Sequence, residues 1–321
     1  MDNLSHTLVG AALGEAGLKR RTGLSMATLM IAANLPDLDV LAIPFGDSLA
    51  FRRGWTHGPL ALVALPVLLT GAMLLWDRLR RRRAARPPGR TPVRPWQLLL
   101  LATIGVLSHP FFDWLNSYGI RLLMPFSHEW FYGDAIFIID PWMWAALGLG
   151  VYLSRRRDRR DASAVHRPAR VALGAVAAYI ALMVAGSRAA ERVALREIER
   201  QQRGPVHRLM AGPAPVNPLR RRLIYDTGDA YLFGSLAWTP RAEVRLDPEP
   251  LPKQQDHPAV QQAMRHPDIA GFLYWSRFPF FGIDEHPDRF EVHVNDARFS
   301  REVRGGWAGR SVPVARSLVG R

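Results

Sequence analysis

Apolar residues are spread unevenly along this chain: they gather in blocks over the first half, and each block ends at charged or turn-forming residues. Residues 58–76, GPLALVALPVLLTGAMLLW, carry no charge. At about 1.5 Å per residue such a stretch crosses roughly 30 Å of hydrocarbon, so the pattern predicts a transmembrane helix. Segments 97–115, 135–153 and 169–187 are further candidates, each apolar apart from polar residues near an end. The last is alanine-rich, and its small side chains suit close helix packing in lipid. Segments 4–18 and 24–35 are apolar but short for a span, and they predict a helical hairpin that turns at Lys19, Arg20 and Arg21. A signal peptide is the competing reading, but Met1-Asp2-Asn3 lacks the basic start and no convincing cleavage site follows.

After residue 188 the pattern changes. An arginine- and glutamate-rich helix is expected over 188–203, then a linker broken by Pro205, Pro213, Pro215 and Pro218. Segments 220–226, 230–238 and 289–295 have the β-branched and aromatic content of strands, with a helix near 257–265. The expected fold class is mainly α: a polytopic α-helical membrane domain over 1–190, a helix and proline-rich linker over 191–219, and a smaller extracytoplasmic α+β domain over 220–321.

Composition refines this picture. The 321 residues are 48% hydrophobic and sum to a net charge of +14. Much of that excess lies in two arginine runs between apolar blocks, eight arginines in 78–94 and seven in 155–170. Topology explains them better than nucleic-acid binding, because basic loops stay on the cytoplasmic side of a membrane. Alternation then places the 36–57 loop, the 109–140 region and everything after 188 on the outer face. There is no cysteine, so disulfides and thiolate ligands are excluded and any metal is held by nitrogen and oxygen.

The residues that carry chemistry fall at the ends of the apolar blocks, where ionisable groups are costly and mark a site. His109 and Asp113 are four apart, which on a helix sets both on one face. In NLPDLDVL, Asp37 and Asp39 are two apart: either the chain is unwound after Pro36 or only one carboxylate points inward. Both are candidate ligands or supporting groups. His57 precedes the uncharged span, and Gly58 and Pro59 suit an opening helical turn. Arg52 and Arg53 either anchor to lipid headgroups or clamp a substrate phosphate. His128, Asp134 and Asp140 are further polar residues of the dense 108–144 stretch, Asp140 calling for a partner or a metal. Glu129 is a candidate base or a solvated loop residue, and His6, taken alone, reads as structural. Histidines and carboxylates without sulfur suit Zn²⁺, Mn²⁺ or Fe²⁺ without discriminating among them. Such a metal activates water, and hydrolysis of a phosphoester follows most simply.

These motifs resemble the family of membrane-bound metal-dependent hydrolases related to the inner membrane protein YdjM. The resemblance rests on SHTLVGAALGEAG, NLPDLDVL, RRGWTHGPLAL, SHPFFDWLNSYGIRLLMPFS and WFYGDAIFIIDPWMW, and covers about residues 1–190. A distant similarity to zinc-dependent phospholipase C and P1-type nucleases implies metal ligands at His6, Asp37 or Asp39, His57, His109 and Asp113. Those enzymes carry further ligands, for which only His128 and Glu129 offer a match. The resulting expectation is a divalent-metal hydrolase of the bacterial inner membrane, with His6, Asp37, His57, His109 and Asp113 on the metal and Asp39, Glu129 and Arg53 in catalysis. Its expected partners are membrane lipid and a lipid-linked or phosphate-containing substrate, with the site on the periplasmic side. The alternative is a non-catalytic structural or stress-response membrane protein whose soluble domain binds a partner. A transporter ranks last, because the charges gather at one end of the spans.

Overall fold

The computed structural model of the chain describes residues 1–45, 52–83, 89, 91–160, 167–305 and 309–319. Parts of the 36–57 loop and of both arginine-rich loops therefore lie outside the described residues. The chain divides into two compact units, Met1–Leu41 with Arg53–Ala185, and Ala42–Arg52 with Gly186–Arg321.

The first unit is helical. The expected hairpin is formed by α1 (Asn3–Glu15) and α2 (Ser25–Ala32), joined through a 3₁₀ turn at Leu18–Arg20. A 3₁₀ run, Leu35–Phe45, follows. Then come α3 (Pro59–Arg83), α4 (Pro95–Trp114), α5 (Pro141–Asp158) and α6 (Arg167–Arg200), whose residues from Gly186 onward belong to the second unit. Among the described residues, α3, α4 and α6 are long and apolar enough to cross a membrane. The expected span at 135–153 is corrected. Its helix begins only at Pro141, because Asp140 caps it, and it ends in Arg155, Arg156 and Arg157, so α5 is not one of the three. The expected helices 169–187 and 188–203 are one continuous helix, α6.

Small residues set how closely these helices approach. A Cβ at Gly10 of α1 would stand 2.7 Å from the Leu29 carbonyl oxygen of α2, and one at Gly105 of α4 would stand 2.5 Å from the Ala32 Cβ. Glycine at both positions seats α1 and α4 against the short helix α2. His6 lies four residues before Gly10 and His109 four residues after Gly105, so each histidine sits one turn from a close contact with the same helix. Val9, Ala12, Phe112, Leu115, Met143, Leu147, Val176 and Ile180 form one core of this unit, and Ala32, Leu69, Met73, Leu98, Ala102 and Val106 a second.

The second unit is α+β. The strands β1 (Arg208–Pro213), β2 (Arg220–Asp226), β3 (Ala230–Ala237) and β4 (Glu243–Leu246) pair antiparallel in that order, and β5 (Leu251–Pro252) also pairs with β3. Strand β1 lies in the stretch expected to be linker. A second antiparallel sheet holds β6 (Pro279–Glu285), β7 (Arg289–Asp296) and β8 (Arg310–Ala315). Two short helices, α7 (Pro258–Ala263) and α8 (Pro267–Trp275), precede it. Alternation along β2 and β3 buries both faces of the first sheet. Leu223 and Leu236 meet Ala190 and Ala194 of α6, whereas Ile224 and Phe233 meet Phe278 and Phe280.

Candidate metal centre

Four side chains of the first unit converge. Asp37, His57, His109 and Asp113 each bring one ligand atom to within 4.8 Å of the others. His57 precedes the first turn of α3, while His109 and Asp113 occupy the last turns of α4, where the four-residue spacing places them on one face as the sequence predicts. Asp37 arrives from the 3₁₀ run. There the period is near three residues, so Pro36 and Asp39 share the buried side, Leu38 and Leu41 the exposed side, and Asp37 lies between them. The tighter coil resolves the question left by residues two apart: both aspartates reach the site, one on its rim and one behind it.

The separations are ones that could accommodate a shared cation. His57 Nε2 and His109 Nε2 are 3.2 Å apart, and they lie 3.5 and 3.4 Å from Asp113 Oδ2. Ligand atoms about 2.0–2.1 Å from zinc at tetrahedral angles are themselves roughly 3.3–3.4 Å apart. The three atoms therefore outline one face of a coordination tetrahedron. Asp37 Oδ1 lies further out, 3.7 Å from His109 Nε2.

The imidazoles are held in the state a metal requires. His109 Nδ1 is 2.7 Å from the Ala33 carbonyl oxygen, which can only accept, so Nδ1 carries the proton and Nε2 presents a lone pair. His57 turns Nδ1 toward Thr56 Oγ1 at 2.9 Å and Asp39 Oδ2 at 3.8 Å, leaving Nε2 for the centre. Burial lowers the pKa of His57, so its neutral form is favoured. His6 stacks on His109 with ring centroids 3.8 Å apart, and its Nε2 is 3.3 Å from Asp113 Oδ1. Burial pushes its pKa down to about 4. Neither His6 ring nitrogen makes a well-formed hydrogen bond, which marks it as a further donor at the edge of the group. The Met1 amino group also donates to Asp113 Oδ1.

Arg53 closes the group on the other side. Its Nε is 3.3 Å from Asp113 Oδ2, an Nη donates to Asn116 Oδ1 at 3.1 Å, and the guanidinium stands 4.5 Å from the centre of the Tyr118 ring. Its backbone is left-handed, with φ at 53°, a conformation that costs a non-glycine residue about 1–3 kcal/mol unless its surroundings fix it. They do: Asp39 Oδ2 accepts from the Arg53 N–H at 2.7 Å, and the Arg53 carbonyl accepts from Arg121 N–H at 2.9 Å. Asp37, Asp39 and Asp113 outnumber Arg53 and the Met1 amino group, so the group carries an excess of negative charge that suits a cation.

Of the residues expected at the site, His6, Asp37, Asp39, Arg53, His57, His109 and Asp113 meet. Glu129 and His128 do not; both are exposed on the loop after Ser127. Asp134 is buried outside the group. Asp140 has a structural occupation: it accepts from the Met143 N–H at 2.9 Å as the cap of α5 and from the Tyr179 hydroxyl at 2.8 Å. Asn116, Thr56 and the Ala33 carbonyl support the centre without having been read from sequence. Of these, only Asn116, an amide closing the apolar stretch of α4, carried a visible signal.

A family model for the YdjM inner membrane protein matches residues 1–192, which hold the whole centre. The chain belongs to the YdjM inner membrane protein family. Membership and the three apolar helices together make it a membrane protein. No curated protein and no solved structure matches the chain. The match covers α1 to α5 and most of α6, and the strands β1 to β8 lie beyond it.

Proposed function

We propose that this member of the YdjM family is a metal-dependent hydrolase of the bacterial inner membrane that cleaves a phosphoester. The observation that carries the reading is the triangle of His57 Nε2, His109 Nε2 and Asp113 Oδ2, spaced for one small divalent cation, with Asp37 as a more distant fourth donor. Three close protein donors are the number found in catalytic metal sites, which keep a further position for water or substrate. A divalent metal there, with zinc the first choice and manganese or iron open, lowers the pKa of water to about 7 and supplies a nucleophile at neutral pH.

The chain's own groups do the rest. The Ala33 carbonyl fixes the tautomer of His109, and Asp39 places negative charge behind His57, strengthening it as a donor. Arg53 neutralises part of the carboxylate charge and holds Asp113 in place rather than reaching out as a free phosphate clamp. Hydrolysis joins the oxygen of water to phosphorus, breaks the bond from phosphorus to the leaving oxygen, and passes the water proton to that oxygen. The arginine-rich stretch 78–94 between α3 and α4 favours an orientation with the centre, at the far ends of those two helices, on the periplasmic side.

The test is metal analysis of protein purified mildly in detergent, with hydrolysis of a chromogenic phosphodiester before and after chelation. Bound metal and activity that Zn²⁺ or Mn²⁺ restores are expected. Metal-free protein with no restorable hydrolysis overturns the reading.

A further inference from the structure

Among the described residues, access to the centre is one-sided. His57, His109 and Asp113 expose none of their side chains, whereas Asp37 exposes 11% of its own. A substrate therefore approaches past Asp37. The surface on that side is apolar. Leu38 and Leu41, on the outward side of the same 3₁₀ run, are 48% and 65% exposed. Trp55 is exposed two residues before His57, and Leu123 and Phe126 are exposed on a loop that lies against the start of α3. The loop's position follows from Gly58, where a Cβ would be 1.9 Å from the Met124 carbonyl oxygen.

We infer that the centre is reached from the lipid, and that its substrate is an amphiphile whose phosphoester headgroup passes Asp37 while its chains stay against Leu38, Leu41, Trp55, Leu123 and Phe126. This rests on the hydrolase reading and adds the substrate class. The centre lies at the start of α3 and the end of α4, both apolar enough to cross the bilayer, so a membrane crossed by those helices brings lipid to the level of the centre. Exposed tryptophan and phenylalanine at such helix ends belong at the boundary between headgroups and acyl chains. A water-soluble ester gains nothing from five exposed apolar side chains, whereas an acyl chain covers them as it delivers its headgroup.

Two probes with the same leaving group separate the routes: bis(4-nitrophenyl) phosphate in solution, and a phospholipid with a 4-nitrophenyl phosphodiester headgroup, dispersed in vesicles holding the full-length protein loaded with Zn²⁺. The lipid ester is expected to be cleaved with kcat/KM at least tenfold higher. The double variant Leu38→Glu/Leu41→Glu is expected to lose at least tenfold on the lipid ester alone. Equal or better turnover of the soluble ester, or an equal loss on both esters in the variant, overturns lipid access. Turnover of neither ester by Zn²⁺-loaded protein overturns the hydrolase reading instead. Access is then decided by photocrosslinking from benzoylphenylalanine placed at position 38, where adducts with vesicle phospholipid support it and their absence refutes it.

Discussion

Replacing Asp113 with asparagine keeps the shape of the side chain and removes one charge from the buried group. In the wild type three carboxylates, Asp37, Asp39 and Asp113, face Arg53 and the Met1 amino group, and in Asp113→Asn two carboxylates remain. Losing a group that merely orients a ligand costs about 10–100-fold in metal affinity. Asp113 Oδ2 is itself a corner of the triangle, so the expected loss is at least ~100-fold, about 2.7 kcal/mol. Thermal unfolding in detergent reads this directly. Metal at about 100 times the wild-type Kd stabilises the wild type by roughly 2.7 kcal/mol, and the same concentration stabilises the variant by only about 0.4 kcal/mol. The metal-free variant is also destabilised, because Arg53 loses its buried partner at a cost of about 3–5 kcal/mol. The quantity to compare is therefore the increment that metal adds to each protein, with elemental analysis giving the stoichiometry. A variant that keeps the full increment and full occupancy refutes the ligand assignment, and the triangle is then a self-satisfied polar cluster.

Three further outcomes follow from other parts of the molecule. Asp39→Asn is expected to keep the fold and lower metal affinity about 10–100-fold, since it removes the charge behind His57 but not an acceptor for the Arg53 N–H; unchanged affinity by competition with a chelator counts against that role. Asp140→Ala removes the cap of α5 and the acceptor of Tyr179, costing about 1–2 kcal/mol in denaturant unfolding while metal stoichiometry stays at the wild-type value; lost metal would make Asp140 part of the site. In the α+β unit, burial alone would raise the pKa of Asp296, but the Arg298 guanidinium and the hydrogen bonds it accepts outweigh burial and hold it below the ordinary value. With the folded value depressed, its stabilisation is present above the unfolded carboxylate pKa of about 3.9 and is lost as pH falls through the folded value. Hydrogen exchange of β6 and β7 is expected to accelerate in that acidic range in the wild type, and already at neutral pH in Asp296→Ala; indifference to both changes would contradict it.

Features that repeat within one element could be read from the residues alone. The uncharged block became α3, the block holding His109 and Asp113 became α4 with both groups on one face, and the hairpin at 19–21 and the strands at 220–226, 230–237 and 289–296 formed close to where they were expected. Periodicity and burial cost act locally, so they leave a local trace. Boundaries set by a cap were harder: Asp140, a carboxylate in an apolar run, called for a partner or a metal, and the partner was the open N-terminus of α5. Which distant groups meet was decided by packing. His6 stacks on His109 because Gly10 and Gly105 bring two helices onto α2. Arg53 faces Asp113 because Asp39 holds its backbone in a left-handed turn. Glu129 is exposed and apart from the cluster. The residue types and their positions in the chain thus determined that a polar centre exists at the ends of the spans, while its membership depended on contacts between residues tens of positions apart, whose geometry no local pattern encodes.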